Sequence, residues 1–256
     1  MSDYNTNPAA RYGSTVARGR VGVDAGLRTY MLRVYNYMAL GLAITGAAAL
    51  GTFMMAVGVD PATNKRVLTS IGQLLYASPL KWVVIFAPLA LVFFLSFRID
   101  RLSVGAAQTL FWIYAALVGL SLSVIFLVFT GQSIVRVFFI TAAAFGGLSL
   151  YGYTTQRDLS GFGSFLVMGL IGVIIASLVN VFLASTMLQW IISVVGVLVF
   201  AGLTAWDTQR IKEMYFEGDG TVVAGRKAVM GALSLYLDFI NLFMMLLQLF
   251  GQRNSD

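Results

Sequence analysis

The sequence predicts an all-α polytopic membrane protein with seven transmembrane helices, on three observations. Charged residues make up only 11% of the 256, less than half of the roughly 25% found in soluble globular domains. Hydrophobic residues make up 59%, with a mean hydropathy of +0.84, so the surplus apolar side chains need lipid as their solvent. These residues are gathered into seven blocks separated by polar turns. Such a composition excludes a soluble enzyme, a nucleic-acid reader and a disordered scaffold. The net charge of +6 is dispersed over the connections, forms no basic face, and acts as a topology signal.

A polar, arginine-bearing arm over residues 1–28 precedes a membrane domain set at 29–252, and a short tail covers 253–256. The first block, Leu32 to Val57, is too long and too far along the chain for a cleaved signal peptide. The others run from Trp82 to Phe97, Val104 to Phe129, Ile134 to Tyr153, Phe162 to Leu183, Met187 to Trp206 and Val229 to Phe250. Each approaches the roughly 20 residues that a helix needs to cross about 30 Å of hydrocarbon. The second is the shortest, and it becomes adequate if it starts at Pro79 and lets Lys81 snorkel. The separators are turn-like: DPATNK from Asp60, RIDR from Arg98, TGQS from Thr130 and TQRDLSGFG from Thr155. Only the stretch between Asp207 and Lys227 is long enough to hold an excursion of its own. Trp82, Trp190 and Trp206 stand at block ends, as interface aromatics do, while Trp112 lies inside a block and reads as core packing.

Orientation follows from the cations. Twelve Lys and Arg fall on the side of the N-terminal arm, among them Arg28, Arg98, Arg101, Arg157, Arg210 and Lys227, against five on the other side. The N-terminus is therefore expected to face the cytoplasm and the C-terminus the opposite side.

The chain has no Cys and no His, which removes disulfides, thiolate or imidazole metal sites, haem ligation and Ser-His or Cys-His nucleophiles. No resident cofactor is expected. The remaining chemistry is that of oxygen ligands, which suit protons and hard cations such as Ca2+. Nine of the eleven acids sit in termini or connections; the two that do not are Asp207, closing the sixth block, and Asp238, inside the seventh. A carboxylate deep in a bilayer costs at least about 2.5 kcal/mol, so it must be neutralised, paired or watered. If the seventh helix begins at Val229, Asp238 lies nine residues in, about 13 Å along the axis. Both carboxyls would then occupy the inner half of the membrane on neighbouring helices. Two carboxyls in contact cannot both ionise cheaply in a low dielectric, so such a pair holds one proton between them and titrates as a unit. Ser234, Asp238 and Asn241 form one polar stripe, and Asn241 is placed to donate to Asp238. Phe239, Phe243, Leu246 and Phe250 pack on the other faces. Arg98 and Arg101 are candidate salt-bridge partners as well as positive-inside anchors.

The strings ALSLYLDFINLFMMLLQLFG around Asp238, GLTAWDTQRIK around Asp207, SLYGYTTQRDLSGFG from Ser149 and GLSLS from Gly119 together resemble the Bax inhibitor-1 family, also called the transmembrane Bax-inhibitor-motif or lifeguard proteins. The resemblance is strongest to its bacterial inner-membrane branch and spans Gly26 to Arg253. It implies two three-helix layers wrapped around a central C-terminal helix. It further implies a pH-sensitive calcium leak gated by hydrogen-bonded aspartates on helices six and seven, which correspond here to Asp207 and Asp238, with weak Ca2+ contact at the pair. In some members a second-helix arginine pairs with the sixth-helix aspartate; Arg98 is the candidate match. Its expected partners are lipid, protons and Ca2+.

Two other functions fit parts of the pattern. Some relatives act as non-conducting interaction proteins that modulate a membrane protease or a stress response. Intramembrane aspartyl proteases also carry aspartates on helices six and seven, but Asp238 follows Tyr236 and Leu237 rather than a glycine-x-glycine signature. A secondary transporter is disfavoured by the lack of a clear inverted repeat.

Overall fold

The computed structural model of the chain describes residues 8–61 and 65–254, and of residues 8–24 the backbone alone. The expected N-terminal arm lies largely outside the residues whose side chains are described. Seven long helices carry the fold: α1 (Pro8–Ala56), α2 (Leu80–Arg98), α3 (Val104–Leu122), α4 (Gly131–Thr154), α5 (Ser160–Leu183), α6 (Thr186–Glu213) and α7 (Thr221–Phe250). Each contains a stretch long and apolar enough to cross a membrane. Hydroxyl side chains start three of them. Ser103 accepts from the Ala106 amide, Thr130 from that of Ser133 and Ser185 from that of Leu188, each satisfying a backbone donor that the first helical turn leaves free.

Two layers are evident. In one, α3 packs between α1 and α2; in the other, α6 packs between α4 and α5; and α7 runs between the layers, touching α1, α3, α4 and α6. Burial separates centre from periphery. In α7, 61% of the most apolar 18-residue window is buried, against 17% in both α2 and α5, so the outer helices face lipid almost throughout while α7 is shielded. Small residues let the helices within a layer close up. A Cβ on Gly119 would press on the Thr45 carbonyl of α1, and one on Gly152 would strike the Ala205 carbonyl of α6, which is the small-residue packing that membrane helices favour.

Polar groups tie the layers to the central helix and to each other. The Tyr236 hydroxyl of α7 meets Thr45 Oγ1 of α1 at 2.6 Å, and Thr45 Oγ1 also reaches the Ala115 carbonyl of α3 at 2.9 Å. Tyr236 is fully buried, edge-on to Phe111 and Tyr114. A second chain runs from Tyr35 of α1 through Ser149 of α4 to Thr208 of α6, at 2.7 and 2.9 Å. In lipid an unpaired hydroxyl has no water to turn to, so these chains fix register between helices.

The boundaries differ from the sequence expectation in four places. Helix α1 is 49 residues long and begins well before Leu32. The DPATNK separator is flanked by a two-stranded hairpin, β1 (Val57–Val59) with β2 (Arg66–Leu68), followed by a π-helical stretch at Gln73–Ala77. The third block is interrupted after Leu122, where the Ser123 hydroxyl bonds back to the Leu120 carbonyl and meets the Tyr76 hydroxyl, before a short helix at Ile125–Val128. Finally, α6 continues to Glu213 and α7 starts at Thr221, leaving a connection too short for an excursion. The reason is that polar residues such as Thr208, Gln209 and Lys212 extend a helix past its apolar block while bonding to α4 and to the loop that follows it.

That loop is the TQRDLSGFG turn between α4 and α5. Gln209 accepts from the Leu159 amide at 2.8 Å and donates to the Arg157 carbonyl at 2.8 Å, and Lys212 Nζ donates to the Tyr153 carbonyl at 2.9 Å. The Ser160 hydroxyl and amide beside Asp158 hold its carboxyl below the usual carboxylate range. With Gln209 only 4% exposed, Gln209→Ala strips partners from two backbone groups. We expect a loss of about 1–3 kcal/mol, read as a lowered thermal midpoint in detergent, with Gln209→Glu retaining only the acceptor half.

Candidate functional site: a carboxyl pair in a cleft

Asp207 and Asp238 come together. They project from the facing sides of α6 and α7, and their carboxyl groups interact directly. Asp238 is 4% exposed, and its Oδ2 is buried without a hydrogen-bond partner. The Asp207 side chain is 14% exposed. Their distances from the helix ends differ from the sequence expectation because both helices are longer than their apolar blocks. Asp207 lies six residues before the end of α6, and Asp238 seventeen residues after the start of α7, about 9 and 26 Å along the respective axes.

Two cavities meet at Asp207. One, of about 320 Å³, opens at the basic end of the bundle between Asp100, Asp207, Arg210, Arg226, Lys227 and Ser234. The other, of about 610 Å³, is a cleft between α5, α6 and α7 that exposes Asp207, Ser234, Asp238 and Asn241 to largely apolar walls. Asp207, Arg210 and Ser234 line both. The stripe expected on α7 therefore faces a single space. Asn241, however, donates to the Leu237 carbonyl at 2.8 Å and not to Asp238: a short amide at i+3 finds its own helix backbone more easily than a carboxyl turned toward α6. Phe239, Phe243 and Leu246 are buried as expected, whereas Phe250 is 65% exposed at the helix end.

The arginine assignment changes too. Arg98 is exposed and forms no ion pair with either aspartate among the described residues. Arg210 stands 4.0 Å from Asp207, one helical turn on, with its side chain 59% exposed and its guanidinium 5.5 Å from the centre of the Trp206 ring. A pair this long and this wet is worth little energetically, but it places a mobile cation at the mouth of the cleft. The i, i+3 spacing of Asp207 and Arg210 was the available sequence signal. Trp206 itself is half-buried on Gly163 and joins α5 to α6.

The remaining basic residues at this end act as staples. Lys227 bonds the Met214 carbonyl at 2.9 Å and Asp219 at 2.5 Å, holding the α6–α7 connection, and Arg226 Nε bonds the Leu102 carbonyl at 2.6 Å, holding the α2–α3 turn. Among the described residues no group of three or more His, Cys, Asp and Glu could hold a metal ion.

A family model described as "Inhibitor of apoptosis-promoting Bax1" matches residues 27–255. The chain belongs to the Bax inhibitor-1 family. Individual Bax inhibitor-1 relatives match over nearly their whole length. The chain is 48% identical to "Inner membrane protein YbhL" of Escherichia coli strain K12 over 231 residues, covering 90% of this chain and 94% of that protein. It is 50% identical to a protein of Rickettsia prowazekii over 234 residues, covering 91% and 93%. It is 46% identical to a protein of Caulobacter vibrioides over 252 residues, covering 98% of each. The matched region of the Bax inhibitor-1 model contains both Asp207 and Asp238 and all the apolar spans from Leu27 onward.

Proposed function

We propose that this membrane protein is a pH-sensitive cation leak, with calcium as the candidate permeant ion, gated by the Asp207–Asp238 pair. The observation that carries this reading is two interacting carboxyls, one almost fully buried, standing where a basic-end cavity and a membrane-embedded cleft meet. The pair holds one proton between its two groups and carries a net negative charge. Removing that proton places two like charges side by side in a poorly hydrated space and drives α6 and α7 to rearrange or to admit a cation and water. Calcium takes about six to eight oxygen ligands. The pair with Ser234 and Asn241 supplies fewer, so the ion would keep part of its water and pass rather than stay. In the proposed orientation the N-terminus and the basic end face the cytoplasm.

The test is passive flux. Purified protein in liposomes loaded with a calcium indicator is expected to leak Ca2+ without ATP, at a rate that changes with pH. Liposomes that stay tight at every pH would overturn the leak and favour a membrane protein that acts through a protein partner.

A further inference from the structure

The polar stripe of α7 does not stop at Asn241. Seven residues on, Gln248 faces a third cavity of about 340 Å³, at the end of the bundle opposite the basic cluster, lined by Asn180, Gln189, Ser193 and Arg253. Its side chains form a network. Gln189 donates to Gln248, Ser193 Oγ donates to Gln248 Oε1 at 2.8 Å, and Asn180 donates to Gln189 at 3.2 Å. Between this polar basin and the aspartate cleft stands a single residue of the stripe, Met245. It lines the cleft and not the basin, and its Cγ and Sδ lie where a Cβ on Gly196 of α6 would be only 2.9 Å away. Gly196 is buried, and its bare backbone forms the seat on which the thioether rests.

We infer that Met245, seated on Gly196, is an apolar plug that closes the aspartate cleft toward the end bearing Gln248. The inference deepens the leak reading and rests on it for its role in conduction. The geometry supports it in three ways. Asp238, Asn241, Met245 and Gln248 succeed one another at i, i+3, i+7 and i+10, so they lie along one side of α7, and Met245 is the one apolar member. Its position is about 10 Å along the helix from Asp238 and about 5 Å short of Gln248, which leaves a polar-lined space on each side and a dry contact between them. Hydrophobic constrictions of this kind block ions by excluding water. A methionine, unbranched and flexible, can swing off a glycine seat without disturbing the backbone of either helix.

The chain contains no cysteine, so introduced cysteines report on the plug directly, without any measurement of calcium. Right-side-out and inverted membrane vesicles are treated with a membrane-impermeant thiol reagent, and the preparation in which Gln248→Cys reacts identifies the side. In that preparation Asn241→Cys is expected to react at least about tenfold more slowly than Gln248→Cys, and adding Met245→Ala should raise its rate by at least about tenfold, since removing the constriction lets water in. Adding Met245→Leu, which preserves apolar bulk, should leave the slow rate in place and shows that the bundle tolerates substitution there. An Asn241→Cys that reacts as fast as Gln248→Cys with Met245 intact, or a rate unmoved by Met245→Ala, overturns the plug. Tight liposomes with the expected labelling pattern would instead overturn the leak and leave the plug standing.

Discussion

Asp238→Asn is expected to shift or flatten the pH dependence of cation flux. Asparagine keeps the shape of the side chain and can still hydrogen-bond Asp207, but it neither binds nor releases a proton in the working range. A single shared proton can change the populations of the two states by at most about tenfold per pH unit, so the wild-type profile over about pH 5 to 8 should be no steeper than that, and the variant profile, left with the Asp207 carboxyl alone, should be displaced or shallower. Because the carboxyls interact directly, Asp207→Asn should give the same flattening, and the double variant should add little, as expected for residues that act as a unit. Two single variants that each retain the full pH response would assign the sensor to other groups. Equal flattening by Arg210→Gln would assign the effect to the nearby cation instead.

The second large effect is on stability. Tyr236→Ala is expected to lower unfolding stability by about 3–5 kcal/mol, the cost of truncating a buried aromatic side chain and leaving a cavity. Tyr236 is fully buried in the central helix, edge-on to two rings of α3, and its hydroxyl shares Thr45 with the Ala115 carbonyl. Tyr236→Phe removes only the hydroxyl, leaves Thr45 its backbone acceptors on Gly41 and Ala115, and should cost about 1 kcal/mol. Thermal unfolding in detergent, followed by loss of the monodisperse peak, separates the two. Equal midpoints for Tyr236→Ala and the unmodified protein would mean that the ring does not hold α3 against α7.

The seven spans were legible because hydropathy over about 20 residues is a strong signal, and the two aspartates because they are the only acids that interrupt it. What was lost lies at the edges of that signal. Thr208, Gln209 and Lys212 read as loop by hydropathy, yet they continue α6, with Thr208 bonding Ser149 of α4 and the Thr204 carbonyl, Gln209 bonding the α4–α5 turn and Lys212 the end of α4. That error moved the start of α7 and with it the distance from that start to Asp238. The hairpin at Val57–Val59 and Arg66–Leu68 is too short to register as strand alternation next to a long apolar helix. Arg98 and Arg101 stand out by their place on the basic side, and the resemblance points to Arg98, whereas the cation nearest Asp207 in space is Arg210, one turn away on the same helix. Met245 carried no signal at all: a methionine in an apolar run acquires meaning only when the glycine opposite it is known.

The central position of α7 also bears on how the protein is made. The two layers touch each other mainly where α1 meets α4 and α6, and both rest on α7, the last of the seven to leave the ribosome. Six segments must therefore wait in the bilayer with the surfaces that will face α7 still uncovered. Assembly cannot be completed by sequential addition; it is a closing step, in which one late segment carrying an acid that lipid would reject is accepted because the others have kept a place for it.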